Sequence, residues 1–180
     1  MRVFIAIDFE EEVKDYLDGI QNIIKKNSRR GNFTQKENYH ITLRFMGEVN
    51  KSDIDMLIDA MNDAAVRNKS FNINLNKLGA FPKGNTSIVW VGIDKSNPLT
   101  RLYLSLEKAL EKQGFRRDKK AYTPHVTLGR EVAVNGNPNN LFKQMDEIQK
   151  DVNVSKITLM ESKRIGAKLV YYPIYVSSLK

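Results

Sequence analysis

The chain of 180 residues contains no cysteine and only two histidines, His40 and His125. Without cysteine it can form neither a disulfide framework nor a thiolate metal site, and it cannot use a cysteine nucleophile. Long apolar runs are also absent. The opening run at residues 3–7 is followed by Asp8 and Glu10, and no stretch approaches the roughly 20 apolar residues that span a bilayer. We therefore expect a cytoplasmic protein with no membrane association.

The balance of charge is basic, because 29 Lys and Arg against 21 Asp and Glu give a net charge of +8. A basic surface attracts polyanions such as nucleic acid, and also small phosphates. The apolar fraction of 41% and the charged fraction of 28% are typical of a globular protein. A chain of this length can bury a substantial core, either as one compact domain or as two small lobes.

The spacing of apolar residues predicts an α+β fold in which four helices are interleaved with about seven strands. Helical spacing occurs at residues 13–24, 54–65, 99–110 and 141–148. Short β-branched or alternating runs predict strands at 3–7, 39–46, 71–75, 86–93, 125–132, 152–163 and 168–176. No low-complexity segment or long linker divides the chain, so we expect one domain spanning residues 1–180.

Several local features are predicted as well. The first helix should end in the basic segment 25–30. Ser52 and Asp55 have the spacing of a capping box for the second helix. The last two strands should join in a hairpin near Gly166, and a shift of the apolar phase at Ser155 indicates a bulge.

Both histidines lie in the same four-residue pattern, His-x-Thr-Leu, at residues 40–43 and 125–128. Two such patterns after the only two histidines of the chain are improbable by chance. Side chains of a strand alternate between its faces, so each histidine shares a face with the threonine two residues later. Two such strands facing each other would form a cleft in which two imidazoles and two hydroxyls converge.

This set of groups suits in-line attack at a phosphodiester. Imidazole, with an ordinary pKa near 6.5, can take or give a proton at cellular pH. One histidine would take a proton from the nucleophile and the other would protonate the leaving oxygen. The threonine hydroxyls, assisted by a cation, would hold the non-bridging oxygens without a metal. A strained cyclic phosphate suits such a site, because ring opening relieves the strain.

The paired motifs, their spacing and the duplicated layout resemble the two-histidine phosphoesterase superfamily. Within it, the chain is most similar to the bacterial and archaeal RNA 2′,3′-cyclic phosphodiesterases, historically called 2′-5′ RNA ligases. The resemblance covers essentially the whole chain. It rests on residues 1–8, 40–49, 79–82, 90–92 and 123–130.

The resemblance implies a bilobal fold, with two pseudo-symmetric antiparallel sheets flanked by helices around a central cleft. It implies hydrolysis of RNA 2′,3′-cyclic phosphate ends to 2′-phosphates without a metal or other cofactor. Carried over to this chain, His125 would be the base that activates water and His40 the acid, while Thr42 and Thr127 would hold the phosphate. The two motifs are nearly symmetric, so the sequence itself does not decide which histidine is the acid. Arg130 matches a position associated with phosphate contact, although strict alternation requires a twist or bulge after Gly129 to bring it to the His125 face.

Strict alternation from His40 also places Ile41, Leu43 and Phe45 in the core and Arg44 on the histidine face. Arg44 could steer phosphate there or be a charge at the rim of the strand. A metal site is disfavoured, because neither motif has a second histidine, a cysteine or clustered carboxylates at ligand spacing.

Two basic runs and two aromatic residues each have two interpretations. Residues 116–120 could grip an RNA backbone at the cleft mouth or form a solvated loop. The cations of residues 25–30 could also bind an RNA backbone, or they could stabilise the C-terminal end of the first helix by interacting with its dipole. Phe81 and Tyr122 could stack on a terminal base or pack in the core.

Other functions remain open at this point. The enzyme alternatives are 2′-5′ RNA ligation of tRNA halves, 2′-5′ phosphodiester cleavage and hydrolysis of nucleotide cyclic phosphates. The alternative without catalysis is a module that only binds RNA ends, which is disfavoured because both histidines and both threonines are present. We expect the partner to be RNA with 2′,3′-cyclic phosphate ends, which could be tRNA fragments, or a nucleotide cyclic phosphate. We also expect a monomeric protein.

Overall fold

Two antiparallel β-sheets with helices packed against them form the core of the protein. The computed structural model describes residues 1–145 and 147–180. Its helices are α1 (Glu11–Lys26), α2 (Lys51–Val66), α3 (Asn97–Lys112) and α4 (Pro138–Gln144), and a 3-10 helix spans Lys36–Asn38. Its strands are β1 (Arg2–Asp8), β2 (Ser28–Phe33), β3 (His40–Glu48), β4 (Phe71–Lys83), β5 (Thr86–Ile93), β6 (His125–Val134), β7 (Lys150–Val154), β8 (Lys156–Ile165) and β9 (Lys168–Ser178).

The chain passes back and forth between the two sheets. The first sheet has the strand order β3-β1-β8-β9, and the second has the order β2-β6-β5-β4-β7. Neighbouring strands are antiparallel throughout. Each sheet contains one strand that begins at a histidine, β3 in the first and β6 in the second. The predicted α+β class with two antiparallel sheets is therefore confirmed.

Apolar burial explains why these elements assemble. The residues of β1 from Val3 to Ile7 are at most 4% exposed, so the first sheet is covered on both faces at this strand. The inner face of α1 is buried, and Leu17 and Ile24 on it are fully buried. Helices α2 and α3 pack against each other, and both carry fully buried side chains such as Leu57 and Leu106. The hydrophobic effect thus packs the apolar faces of the helices against the sheets.

One strand was missed by the sequence prediction. The first helix ends at Lys26, and the basic segment after it continues as β2, which pairs with β6. The sequence of β2, Ser-Arg-Arg-Gly-Asn-Phe, lacks the apolar alternation that predicts a strand, because most of its side chains are exposed or half-buried. Pairing with β6 gives this segment its structure.

The predicted strand at 152–163 is two strands in different sheets. Ser155 separates β7, which pairs with β4 in the second sheet, from β8, which pairs with β1 in the first. The shift in apolar phase at Ser155 therefore marks the crossing between sheets, and the predicted bulge is wrong. The hairpin near Gly166 is confirmed, since Ile165 pairs with Lys168 and Gly166 has a φ of 60°.

The cap of α2 also differs from the prediction. Asn50 accepts a hydrogen bond from the backbone N–H of Asp53 at 3.0 Å, and Asp53 accepts one from the backbone N–H of Asn50 at 2.9 Å. This capping box lies two residues before the predicted pair of Ser52 and Asp55. The fourth helix ends at Gln144, earlier than predicted, and residue 146 of the predicted segment lies outside the described residues.

No helix within the described ranges is both long and apolar enough to cross a membrane.

Candidate active site

His40 is the first residue of β3 and is held by a backbone carbonyl. Its Nδ1 lies 2.7 Å from the carbonyl oxygen of Asn38, at the end of the 3-10 helix. Because a carbonyl oxygen only accepts, Nδ1 carries the proton in this bond. In the neutral ring, Nε2 therefore accepts from the hydroxyl of Thr42, whose oxygen lies 3.0 Å away. The strand geometry thus fixes the orientation of this imidazole at both nitrogens.

His125 is the first residue of β6 and is held in the same way. Its Nδ1 lies 2.7 Å from the carbonyl oxygen of Thr123, again two residues earlier. Pro124 between them favours the extended backbone that enters the strand. The matching bonds at His40 and His125 leave Nε2 of each ring as the nitrogen that can face a substrate.

Both histidines line one cavity of about 760 Å³ between the two sheets. The threonines of both motifs line it as well, so the structure brings together the four residues that the sequence singled out. The complete lining is Arg2, Phe4, Thr34, Asn38, His40, Thr42, Phe45, Lys120, His125, Thr127, Arg130, Ser162, Arg164, Leu169 and Tyr171.

The cavity is strongly basic. Four cationic side chains line it, from Arg2, Lys120, Arg130 and Arg164, and this lining contains no carboxylate. None of the four forms an ion pair with a carboxylate in the described part of the chain. Unpaired cations around a concave site raise the local concentration of anions. The geometry therefore favours an anionic ligand between the two imidazoles.

Sequence reasoning missed two of these cations. Arg2 begins β1 and Arg164 lies near the end of β8. Arg2 belongs to a segment that carries the family resemblance, but no functional role was predicted for either residue. They reach the cavity only because β1 and β8 pair beside β3. Lys120 belongs to the basic run 116–120, and it is the member of that run that lines the cavity.

Arg130 reaches the histidine face through a bulge. Trp90 pairs with Thr127 and Val89 pairs with Gly129, so Leu128 is an extra residue on β6. This irregularity shifts the alternation by one and turns Arg130 toward the cavity. The sequence analysis predicted a twist or bulge after Gly129. In the structure the bulge is at Leu128, one residue before Gly129.

A similar bulge on β3 overturns the predictions for Arg44 and Phe45. Ile5 pairs with Arg44 and Ala6 pairs with Thr42, so Leu43 is the extra residue. Arg44 consequently points away from the cavity, whereas Phe45 lines it and is 50% exposed. The guanidinium of Arg44 lies 3.2 Å from a carboxylate oxygen of Glu107 and also donates to the carbonyl oxygen of Arg116.

Burial lowers the pKa of His40 from its ordinary value. The ring packs against Phe4 and Tyr171 at centroid distances of 4.8 Å and 5.3 Å. The hydrogen bond to the carbonyl of Asn38 and a nearby carboxylate favour the charged ring, but removal from water outweighs them. Burial therefore favours the neutral form of the His40 ring.

Aromatic rings surround His125 on the second sheet. Phe81 meets its ring edge to face at 5.5 Å, and Trp90 lies 6.3 Å away. Gly79 makes this arrangement possible, because a Cβ there would lie 2.1 Å from the Trp90 ring. Tyr122 instead stacks on Tyr103 at 4.0 Å, outside the cavity lining, which favours a packing role for it.

The other sequence candidates lie away from the cavity. Arg29 and Arg30 belong to β2 and do not line it, and neither do Lys25 and Lys26 at the end of α1. Among residues 1–145 and 147–180, no group of three or more His, Cys, Asp or Glu side chains has the arrangement of a metal site.

A family model described as the 2′-5′ RNA ligase superfamily matches residues 10–166. The chain belongs to this superfamily. A relative from Archaeoglobus fulgidus named RNA 2′,3′-cyclic phosphodiesterase is 35% identical over 72% of each chain. One from Methanothermobacter thermautotrophicus with the same name is 29% identical over 99% of each chain.

A solved structure has the same fold over almost the whole chain. The crystal structure of E. coli LigT complexed with 3′-AMP has a TM-score of 0.81 and 21% sequence identity. The match covers 99% of this chain and 97% of the E. coli chain. At this level of identity the likeness establishes the shared fold.

Proposed function

We propose that the protein hydrolyses the 2′,3′-cyclic phosphate at the end of an RNA strand to a 2′-phosphate, without a metal. The observation that carries this proposal is the pair of imidazoles, each oriented by an Nδ1–H bond, in one cavity lined by four cations. A cyclic phosphodiester is an anion, and its hydrolysis needs one proton acceptor and one proton donor. The names of the two relatives described above support the same substrate.

The reaction uses both imidazoles in one displacement. A water molecule attacks phosphorus from the side opposite the 3′ oxygen, while one imidazole takes a proton from the water at Nε2. The bond between phosphorus and the 3′ oxygen breaks, and the other imidazole gives its Nε2 proton to that oxygen. The product carries a 3′ hydroxyl and a 2′-phosphate.

We assign the base to His125 and the acid to His40, following the family resemblance. Because burial lowers the pKa of His40, this assignment requires His40 to take up a proton when the anionic substrate binds. The negative phosphodiester favours the charged ring and can drive that uptake. Protonation also frees the Thr42 hydroxyl, which no longer donates to His40 Nε2 and can donate to the phosphate.

We propose that Thr42, Thr127 and Arg130 bind the phosphate. The two hydroxyls share the cavity face of their strands with the histidines, so they are placed beside the reacting group. Arg130 can form two parallel hydrogen bonds to phosphate oxygens. Donors fixed before the reaction stabilise the charge that develops on those oxygens. The cationic side chains thus supply the positive charge that a metal ion supplies in other phosphodiesterases.

All residues of this cavity come from one chain, so we propose that the protein works as a monomer and that its two sheets form one catalytic domain. We also propose a cytoplasmic location, because RNA fragments with cyclic phosphate ends would be met there.

Product analysis tests the proposal. An RNA oligonucleotide with a 2′,3′-cyclic phosphate end is incubated with the protein, with and without EDTA, and the products are separated by chromatography and identified by phosphorus NMR. We expect a 2′-phosphate at the same rate in both conditions. A lengthened RNA would indicate ligation, and tight binding without turnover would indicate an RNA-end-binding module. The metal-free mechanism would be contradicted if EDTA abolished the activity and added divalent metal restored it.

A further inference from the structure

A second cavity of about 670 Å³ continues from the catalytic one. The two cavities share part of their lining, so they form one groove between the sheets. The shared residues are Thr34, Asn38, Arg130, Arg164, Leu169 and Tyr171. From these residues the groove extends toward the tips of two hairpins, one in each sheet.

Each hairpin tip adds a lysine to the groove. Lys83 lies at the end of β4, where it pairs with Thr86 across the turn, and Lys168 begins β9. Both line the second cavity, and both are exposed. Neither forms an ion pair with any carboxylate of the described residues. Together with Arg130 and Arg164, they give the second cavity four cations.

The remaining lining suits a nucleotide. Phe33 and Ile88 offer apolar surface against which a base can pack, and the Gln35 amide can form hydrogen bonds. Glu131 is the carboxylate in the lining, and it already accepts a hydrogen bond from the Asn32 amide at 2.6 Å. Single-stranded nucleic acids bind in grooves that combine cations with apolar or aromatic surface.

We propose that this second cavity binds the nucleotides on the 5′ side of the cyclic phosphate end, with Lys83 and Lys168 contacting their phosphates. The proposal rests on the proposed function, since the terminal nucleotide occupies the catalytic cavity. The rest of the strand leaves that cavity, and the second cavity is a continuous basic path for it. The protein therefore prefers an oligonucleotide to a mononucleotide with the same cyclic end.

A second basic groove on the protein provides a matched control. It has a volume of about 640 Å³ and lies between α3 and residues 67–71, which follow α2. Four cations line it, Arg67, Lys69, Arg101 and Lys108. It shares no lining residue with the catalytic cavity. The double variant Lys69→Ala/Lys108→Ala changes the net charge by the same amount as Lys83→Ala/Lys168→Ala. Comparison of the two separates local contacts from the general attraction of a basic protein for RNA.

The experiment measures kcat/KM for a tetranucleotide and for a mononucleotide, each with a 2′,3′-cyclic phosphate end. We expect Lys83→Ala/Lys168→Ala to lower the tetranucleotide-to-mononucleotide ratio about five- to tenfold, the effect of losing two surface charge contacts. The slope of log KM against log salt for the tetranucleotide should also fall by about 1.4, since each lost contact with a single strand removes about 0.7. The control variant should leave the ratio within twofold of the wild type.

An unchanged ratio in Lys83→Ala/Lys168→Ala, or an equal fall in the control, would overturn the proposal. Equal kcat/KM values of the wild type for the two substrates would also overturn the proposal. This result would leave the proposed function intact, because both substrates are hydrolysed. If the wild type opens neither substrate, the proposed function itself fails. Circular dichroism of both variants shows whether they are folded, which is expected because all four lysines are at the surface.

Discussion

The hydroxyl oxygen of Thr42 lies 3.0 Å from Nε2 of His40, on the same face of β3. Replacement by valine keeps the shape and removes the hydroxyl. We expect Thr42→Val to lower kcat/KM for a cyclic-phosphate oligonucleotide about 100-fold, as the loss of one fixed donor to a developing oxyanion does. Steady-state kinetics measure this loss. Thr42→Ser is the matched control and should retain most of the activity, and a valine variant within twofold of the wild type would contradict the role of the hydroxyl.

The lowered pKa of His40 predicts how the protein responds to pH. Proton NMR of the imidazole resonances, assigned with the variants His40→Gln and His125→Gln, should show that His40 titrates below about 6.5, its ordinary value. The unfolded chain then binds the proton at higher pH than the folded protein. The contribution of this group to stability is therefore fully present above about pH 6.5 and falls as the pH drops from there toward the folded pKa.

Anion binding should reverse this shift. Addition of inorganic phosphate, which fits the basic cavity, should raise the pKa of His40 because the negative charge favours the protonated ring. A midpoint above 6.5 without phosphate, or a midpoint that phosphate does not raise, would contradict proton uptake by His40.

The ion pair of Arg44 with Glu107 predicts a large effect on stability. The side chains are 10% and 1% exposed, and Glu107 also accepts a hydrogen bond from the backbone N–H of Asp118 at 3.0 Å. Arg44→Met leaves the Glu107 carboxylate buried without its main partner. We expect the free energy of unfolding, measured in urea, to fall by about 3–5 kcal/mol.

The double variant Arg44→Met/Glu107→Met is the control for this pair. It removes both charges, so its loss of stability should be clearly smaller than the sum of the two single losses. Additive losses would show that the two residues do not act as a pair. The same contacts hold residues 116–118, which precede the cavity residue Lys120, so the single variants should also raise KM.

The close approach of Trp90 to Gly79 predicts that this glycine tolerates no side chain. A Cβ at Gly79 would lie 2.1 Å from the indole ring of Trp90. Gly79 and Trp90 pair across β4 and β5, so the two strands cannot easily separate to relieve this clash. Gly79→Ala should therefore displace the ring and lower the melting temperature by several degrees. The chain has one tryptophan, so its fluorescence reports the displacement directly.

Gly19→Ala is the matched control for this variant. Gly19 is an exposed position of α1 at which a Cβ meets nothing within 4 Å, so alanine should stabilise the helix by about 0.5–1 kcal/mol. Equal stability of Gly79→Ala and the wild type would show that the indole ring can move without cost.

The sequence predicted the two strands that carry the site because each has a short local signal. Apolar and polar residues alternate from His40 to Leu43 and from His125 to Leu128, and this alternation alone places each threonine beside its histidine. The burial of β1 and of one face of α1 also follows from residues close together in the sequence. These parts depend little on which strands become neighbours.

The parts that the sequence did not predict depend on pairing between distant strands. The bulges at Leu43 and Leu128 arise where β3 and β6 are matched to their partner strands, and each reverses the faces of the residues that follow. Arg44, Phe45 and Arg130 therefore cannot be assigned to a face by counting residues. The formation of the polar strand β2 and the presence of Arg2 and Arg164 in one cavity likewise depend on the tertiary arrangement.

The turnover of the histidine variants tests the central claim most directly. The rate of opening of a 2′,3′-cyclic phosphate on an RNA oligonucleotide is compared for the wild type, His40→Ala and His125→Ala, each shown by circular dichroism to be folded. Each imidazole moves one of the two protons, so we expect each variant to lose at least about 1,000-fold in kcat. Turnover near the wild-type rate in either folded variant would contradict catalysis by a pair of histidines.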